Sequence, residues 1–146
     1  MGIFQQLMNK KTSPKIGISV LVMKQGKVLL GKRRNTHGAG EYASPGGHLE
    51  FNESIEDAAR RECREEAGIE IKNIKFLRFS NMRKYGKHYG DIGLTAEWKS
   101  GEVKVCEPQK MEKWDWYKLN NLPKPLFAAL DDSFEALKTG NNFFDE

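Results

Sequence analysis

Apolar residues recur along the chain with two different periods, and the change from one to the other marks the elements. Ile16 to Met23 is a mostly apolar, β-branched-rich run, Lys27 to Lys32 is a second, and Gln25-Gly26 between them has the composition of a tight turn, so the chain is predicted to open on a hairpin. Ile69 to Arg78 alternates as a strand, His88 to Trp98 supplies another after a Tyr85-Gly86 turn, and Lys113 to Tyr117 is a short aromatic-rich strand. Two stretches shift to helical spacing. Ile55, Ala58, Ala59 and Cys63 form one apolar stripe, on a helix that starts at Asn52 or Glu53 and ends at Gly68 in a left-handed cap. Leu126, Phe127, Leu130, Phe134 and Leu137 form the other, introduced by Pro123 and Pro125. Gly2 to Asn9 reads as a short helix or a loose segment, and Pro14 marks the entry to the ordered domain, so residues 1–14 are an N-terminal extension and residues 15–146 one domain. The loop from Arg33 to Gly47 is rich in glycine, which lets backbone approach a ligand closely. No internal repeat is present. The elements predict an α/β (α+β) fold in which a mixed sheet is packed between helices.

The polar positions of the first helix change the picture. Glu62, Glu65 and Glu66 fall at i, i+3 and i+4, so three carboxylates share one face. Counting about 100° per residue, Glu62 and Glu66 lie within roughly 20° of the centre of the apolar stripe. Asp57, Arg60 and Arg64 occupy the opposite, solvent side, while Arg61 flanks the acids and can pair with Glu65. Carboxylates turned toward a protein body are costly unless protonated or bound to a cation. Oxygen-only ligands suit hard divalent ions, with magnesium the default and manganese a common substitute.

Composition narrows the alternatives. A chain of 146 residues is one domain long and buries a core without staples. Its two cysteines, Cys63 and Cys106, offer no disulfide framework and point to a reducing cytoplasm. Neither has catalytic surroundings, and the three histidines give no zinc pattern. The first residues lack the apolar core of a signal peptide and no stretch approaches a membrane span, so a soluble protein with no membrane partner is expected. A net charge of +4 and a pI near 9.0 suit a polyanionic ligand but do not demand a stable nucleic-acid partner.

The segment from Gly47 to Ile69 resembles the signature of the Nudix hydrolases. Gly47, Glu53, Arg61-Glu62, Glu65-Glu66, Gly68 and Ile69 fill every fixed position, and the one departure is Cys63 at the first aliphatic site. Upstream, Leu29-Leu30-Gly31-Lys32-Arg33, Gly38-Ala39-Gly40 and Pro45-Gly46-Gly47-His48-Leu49-Glu50-Phe51 resemble the MutT-like branch, and in it most the nucleotide triphosphate diphosphatases. Ser44 departs from that branch, which usually keeps a large apolar residue before Pro-Gly-Gly. The likeness runs over residues 16 to 118. It implies an α/β/α sandwich and hydrolysis of a nucleoside diphosphate linked to another group, by water attack on phosphorus with divalent metal. Glu62, Glu65 and Glu66 would be metal ligands with the Gly46 carbonyl, Glu53 and Arg61 would orient them, and a homodimer is a further expectation.

Within that frame other residues take provisional roles. Glu62 is the first choice for accepting the proton of the attacking water. Similar proteins often bring a further carboxylate from the region of Glu107 and Glu112, and Glu112 is preferred because it adjoins the Trp114 strand. Lys32, Arg33 and Arg34 suit a triphosphate tail, His48 a substrate phosphate or base, and Tyr42 base stacking. The expected activity is magnesium-dependent conversion of nucleoside triphosphates to monophosphate and pyrophosphate. Alternatives are an ADP-ribose or nucleotide-sugar pyrophosphatase, a nucleotide-sensing module without turnover, and an RNA-directed decapping role.

Overall fold

The computed structural model describes residues 2–4 and 13–146. Ile3 and Phe4 are helical and exposed, and the remainder of the segment expected to be helical or loose up to Asn9 lies outside the described residues.

The opening hairpin forms as predicted, from β1 (Lys15–Lys24) and β2 (Lys27–Arg33), with Gln25 and Gly26 both at positive φ, 50° and 78°. Such a turn matches the strand twist. β1 is apolar on both faces because it is covered on both: Ile18, Val20 and Val22 pack toward the first helix, while Leu21 packs with Leu130 of the last. One edge of β1 runs parallel to β6 (Tyr89–Ser100) over Lys15–Met23. The other edge is shared. Near the turn it pairs with β2 only at Met23–Val28 and Lys24–Lys27, and its first half pairs instead with β4 (Gly46–His48). β2 thus swings away from β1 to pair along its length with β7 (Met111–Lys118) and with β3 (Tyr42–Ala43), and this divergence opens the sheet beside β4. β5 (Glu70–Met82) lies antiparallel to β6 and carries β8 (Phe143–Asp145) on its outer edge.

The helices differ from expectation at their starts. α1 is Ile55–Ala67: Asn52 sits at φ 65°, incompatible with a helix, and the Ser54 hydroxyl accepts the Asp57 N–H at 3.1 Å as N-cap. Its end matches expectation, since Gly68 at φ 70° donates to Arg64 O while Ile69 donates to Cys63 O, a Schellman arrangement. Ile55, expected in the buried stripe, is 39% exposed because it occupies the first, overhanging turn. α2 is Ala128–Thr139 with Phe127 as an extended N-cap, so Leu126 precedes the helix, and Leu137 faces solvent. β3, β4 and β8 are further strands of two or three residues, too short to show a period, and β5 runs four residues beyond Arg78. The α/β class, mixed sheet and two flanking helices are as predicted.

Candidate functional site: an acidic cleft beside the split sheet

Where β2 leaves β1, a cleft of about 600 Å³ runs from α1 across β4 and β1 to the start of α2. Glu62 and Glu66 form one end, 9% and 8% exposed, so the inward direction read from the helical pattern is correct for both. The Gly46 N–H donates to Glu66 Oε1 at 2.9 Å. Gly47 packs directly on the Glu62 carboxyl, and a Cβ there would overlap its oxygens; a Cβ at Gly46 would strike the Ile18 carbonyl. The double glycine is therefore required by close approach to β1 and α1, and it forms part of strand β4.

Arg61 organises this end. Its Nε and Nη2 donate to the two oxygens of Glu53 at 2.7 and 3.0 Å, Nη1 donates to Glu62 Oε1 at 2.7 Å, and Nη2 also donates to the His48 carbonyl at 2.9 Å. The fork-to-carboxylate geometry fixes the guanidinium, and the Glu50 N–H in turn donates to Glu53 Oε1. Arg61 accordingly holds the Glu53 carboxyl below its ordinary range. Burial pushes Glu62 up, against the opposing pull of its hydrogen bonds and Arg61, and pushes Glu66 well above the usual carboxylate range.

Glu65 corrects the expectation of three inward acids. Its side chain is 53% exposed at the rim and meets Arg61 only at 3.4 Å. Among the described residues no three acidic, His or Cys side chains already stand together as an ion would gather them. The donor set nevertheless fits a hard cation: two buried carboxylates pushed toward protonation, a third one turn away at the rim, and Glu107 facing them across the cleft. Glu107, not Glu112, is the downstream carboxylate that lines the cleft. Glu112 lies outside the cleft, where it pairs with Lys32 at 3.7 Å, whereas Glu107 sits on the turn that closes over α1.

The other candidates divide along strand alternation. Arg33 enters the cleft, donating from Nε to the His37 carbonyl at 2.9 Å with its guanidinium 4.3 Å from the Phe127 ring centroid, and burial lowers its pKa. Lys32 and Arg34 point away, toward Glu112 and the Pro108 carbonyl. His48 lines the cleft and meets the Tyr89 hydroxyl at 3.0 Å; burial, with Lys15 and Lys110 nearby, lowers its pKa. Tyr42 does not reach the cleft and packs edge-on against Tyr117. The aromatic wall is instead Tyr85 stacked on Phe127, 5.0 Å apart and 4° from parallel. Lys15, Lys84, Lys87 and Lys110 also line the cleft. The sequence reading missed these, and with them Ser19 and Asp91 on the floor, because they converge from separate strands and loops with no shared spacing.

A family model described as the NUDIX domain matches residues 13–137. The chain is 33% identical over 116 residues to an ADP-ribose pyrophosphatase of Methanocaldococcus jannaschii, covering 78% of this chain and 68% of that protein. It is 30% identical to the NAD-capped RNA hydrolase NudC of Pseudomonas fluorescens, covering 96% of this chain but only 52% of the relative, so it spans about half of that longer protein. Among solved structures, a MutT Nudix hydrolase from Burkholderia pseudomallei superposes with a TM-score of 0.81 at 31% identity, over 86% of this chain and 98% of that one. No helix among the described residues is long and apolar enough to cross a membrane. With the double glycine, the Arg61 clamp and the paired glutamates in these positions, the chain belongs to the NUDIX domain family, the Nudix hydrolases that act on phosphoanhydride bonds and generally use divalent metal ions.

Proposed function

We propose that this protein is a magnesium-dependent pyrophosphohydrolase of nucleoside diphosphate derivatives, with nucleoside triphosphates converted to monophosphate and pyrophosphate as the first reading. The observation that carries it is the burial of Glu62 and Glu66 against Gly46-Gly47 at one end of a cleft lined by Lys15, Arg33, Lys84, Lys87 and Lys110. That pairing of acidic floor and basic lining suits an ion-bridged polyphosphate. Glu62, Glu65 and Glu66, with the Gly46 carbonyl and Glu107, would hold the ion. Bound there, magnesium, or manganese in its place, supplies charge neutralisation on the phosphate oxygens and a more acidic water.

The chain's own residues do the rest. Glu53 and the His48 carbonyl hold Arg61, and Arg61 holds Glu62 Oε1, so the carboxylates keep their positions as substrate enters. Glu62 Oε2, the oxygen that Arg61 leaves free, takes the proton of the attacking water. Arg33 and the cleft lysines bind the phosphates.

A second substrate class is favoured by two findings. Of the basic run only Arg33 enters the cleft, and the Methanocaldococcus jannaschii relative is named an ADP-ribose pyrophosphatase. ADP-ribose carries two phosphates and needs fewer cations than a triphosphate. A panel of nucleoside triphosphates, ADP-ribose, a nucleotide sugar and a capped RNA, assayed with magnesium in oxygen-18 water, tests both readings. Monophosphate and pyrophosphate from triphosphates support the first. Preferential cleavage of ADP-ribose replaces it with the second, and binding without magnesium-dependent products would leave only a nucleotide-sensing module.

A further inference from the structure

Arg78 is the largest fully buried side chain among the described residues, and all five of its N–H groups are taken. Nε donates to Ser133 Oγ at 3.0 Å, Nη1 to Ser80 Oγ at 2.8 Å and the Asp91 carbonyl at 3.2 Å, and Nη2 to Asp91 Oδ2 and the Ala129 carbonyl, both at 2.8 Å. Gly93 makes room for its stem. Ser19 Oγ adds a further restraint by donating to the same Asp91 Oδ2 at 2.9 Å. A buried ion pair of this kind seldom outperforms apolar packing for stability, but it fixes geometry. What it fixes is a carboxylate on the cleft floor.

The other oxygen, Asp91 Oδ1, has no hydrogen-bond partner among the described residues, while the Asp91 side chain is nine-tenths buried and lines the cleft. Gly17 stands opposite Asp91 on β1, and a Cβ there would come within 2.7 Å of Oδ1. Glycine keeps that face clear. A carboxylate repels phosphate and accepts from a neutral donor, which suits Asp91 to the nucleoside rather than the phosphates of a bound nucleotide. The Tyr85–Phe127 wall, continuous with Ala129, lines the same cleft.

Resting on the nucleotide reading above, we propose that Asp91 Oδ1 is a specificity acceptor for an exocyclic amino group of the nucleobase, held in place by Arg78 and exposed by Gly17. A site built to accept such a donor penalises the analogue that lacks it.

The test measures binding by calorimetry without divalent ions, comparing ADP with purine riboside diphosphate, GDP with IDP, and ADP with 2′-deoxy-ADP. The amino-free member of at least one base pair is expected to bind ~10–100-fold more weakly, and the difference should collapse in Asp91→Asn. Should that variant fail to fold, Gly17→Ala, which crowds Oδ1 while keeping the Arg78 pair, is expected to shrink the ratio likewise. Equal binding with and without the amino group, no binding of either, a ratio unchanged in the folded variants, or an effect confined to the ribose hydroxyl overturns this inference. The hydrolase reading fails separately, if no substrate in the panel is turned over with magnesium.

Discussion

Replacing Glu66 by glutamine separates the burden that carboxylate places on the fold from the work it does. Glutamine is isosteric, its amide oxygen can still accept the Gly46 N–H now held at 2.9 Å, and its NH2 can donate to Glu62, where two carboxyls now contend. Burial raises the Glu66 pKa well above 4.5. Below the ordinary carboxylate range both folded and unfolded chains hold the proton; above it the unfolded chain has released it and the folded chain has not. Stability of the metal-free protein therefore falls as pH rises from the ordinary range through the raised folded value, and Glu66→Gln removes that fall. In EDTA at pH 8 the variant is expected to melt at or above the wild-type temperature. Magnesium should reverse the order. At about 100 times its Kd an ion stabilises the wild type by about 2.7 kcal/mol, a rise of roughly 5–10 °C for a chain of this size, whereas the variant should gain less than half of that. Turnover should drop by at least ~100-fold, about 2.7 kcal/mol of transition-state stabilisation. Scanning calorimetry in EDTA and in magnesium, with product release measured alongside, reads all three. A variant melting several degrees below wild type in EDTA, or one that keeps full turnover, would refute the assignment.

Two further outcomes follow from the surroundings of α1. Arg60 was expected to be a purely solvated charge, but its Nη1 donates to the Ile71 carbonyl at 2.9 Å, so Arg60→Ala should lower stability by about 1 kcal/mol in a urea titration with kcat unchanged; an equal loss of activity would place Arg60 in the catalytic apparatus. Cys63 is fully buried and burial pushes its thiol pKa far up, whereas Cys106 is exposed, so one thiol per chain should react with a thiol reagent in the native state and the second only on unfolding. Two fast-reacting thiols would contradict that packing.

Local periodicity carried a good deal of this protein. The hairpin at Gln25-Gly26, the left-handed stop at Gly68 and the inward direction of Glu62 and Glu66 all depend on residues within a turn or two of one another, and the helix count of about 100° per residue is enough to orient them. The same count failed for Glu65 because it gives only an angle: at the edge of the buried stripe, Arg61 and solvent decide where a flexible side chain lies. Strand alternation was legible too, and would have separated Arg33 from Lys32 and Arg34, but which of the two faces lines the cleft depends on β2 parting from β1, a pairing the sequence does not encode locally. Glu107 and Glu112 are both plain loop acids in sequence, and only the fold of that turn over α1 chooses between them. Short strands such as β3 and β8 carry no readable period and exist because a neighbouring edge supplies their hydrogen bonds. By itself, then, the sequence determined the acidic helix, its left-handed C-terminal cap and the family signature, all short-range. The tertiary structure alone decided the cleft lining, the Arg78–Asp91 floor and the aromatic wall, because each joins residues tens of positions apart through strand register, and register is set by the packing of the whole sheet rather than by any one strand.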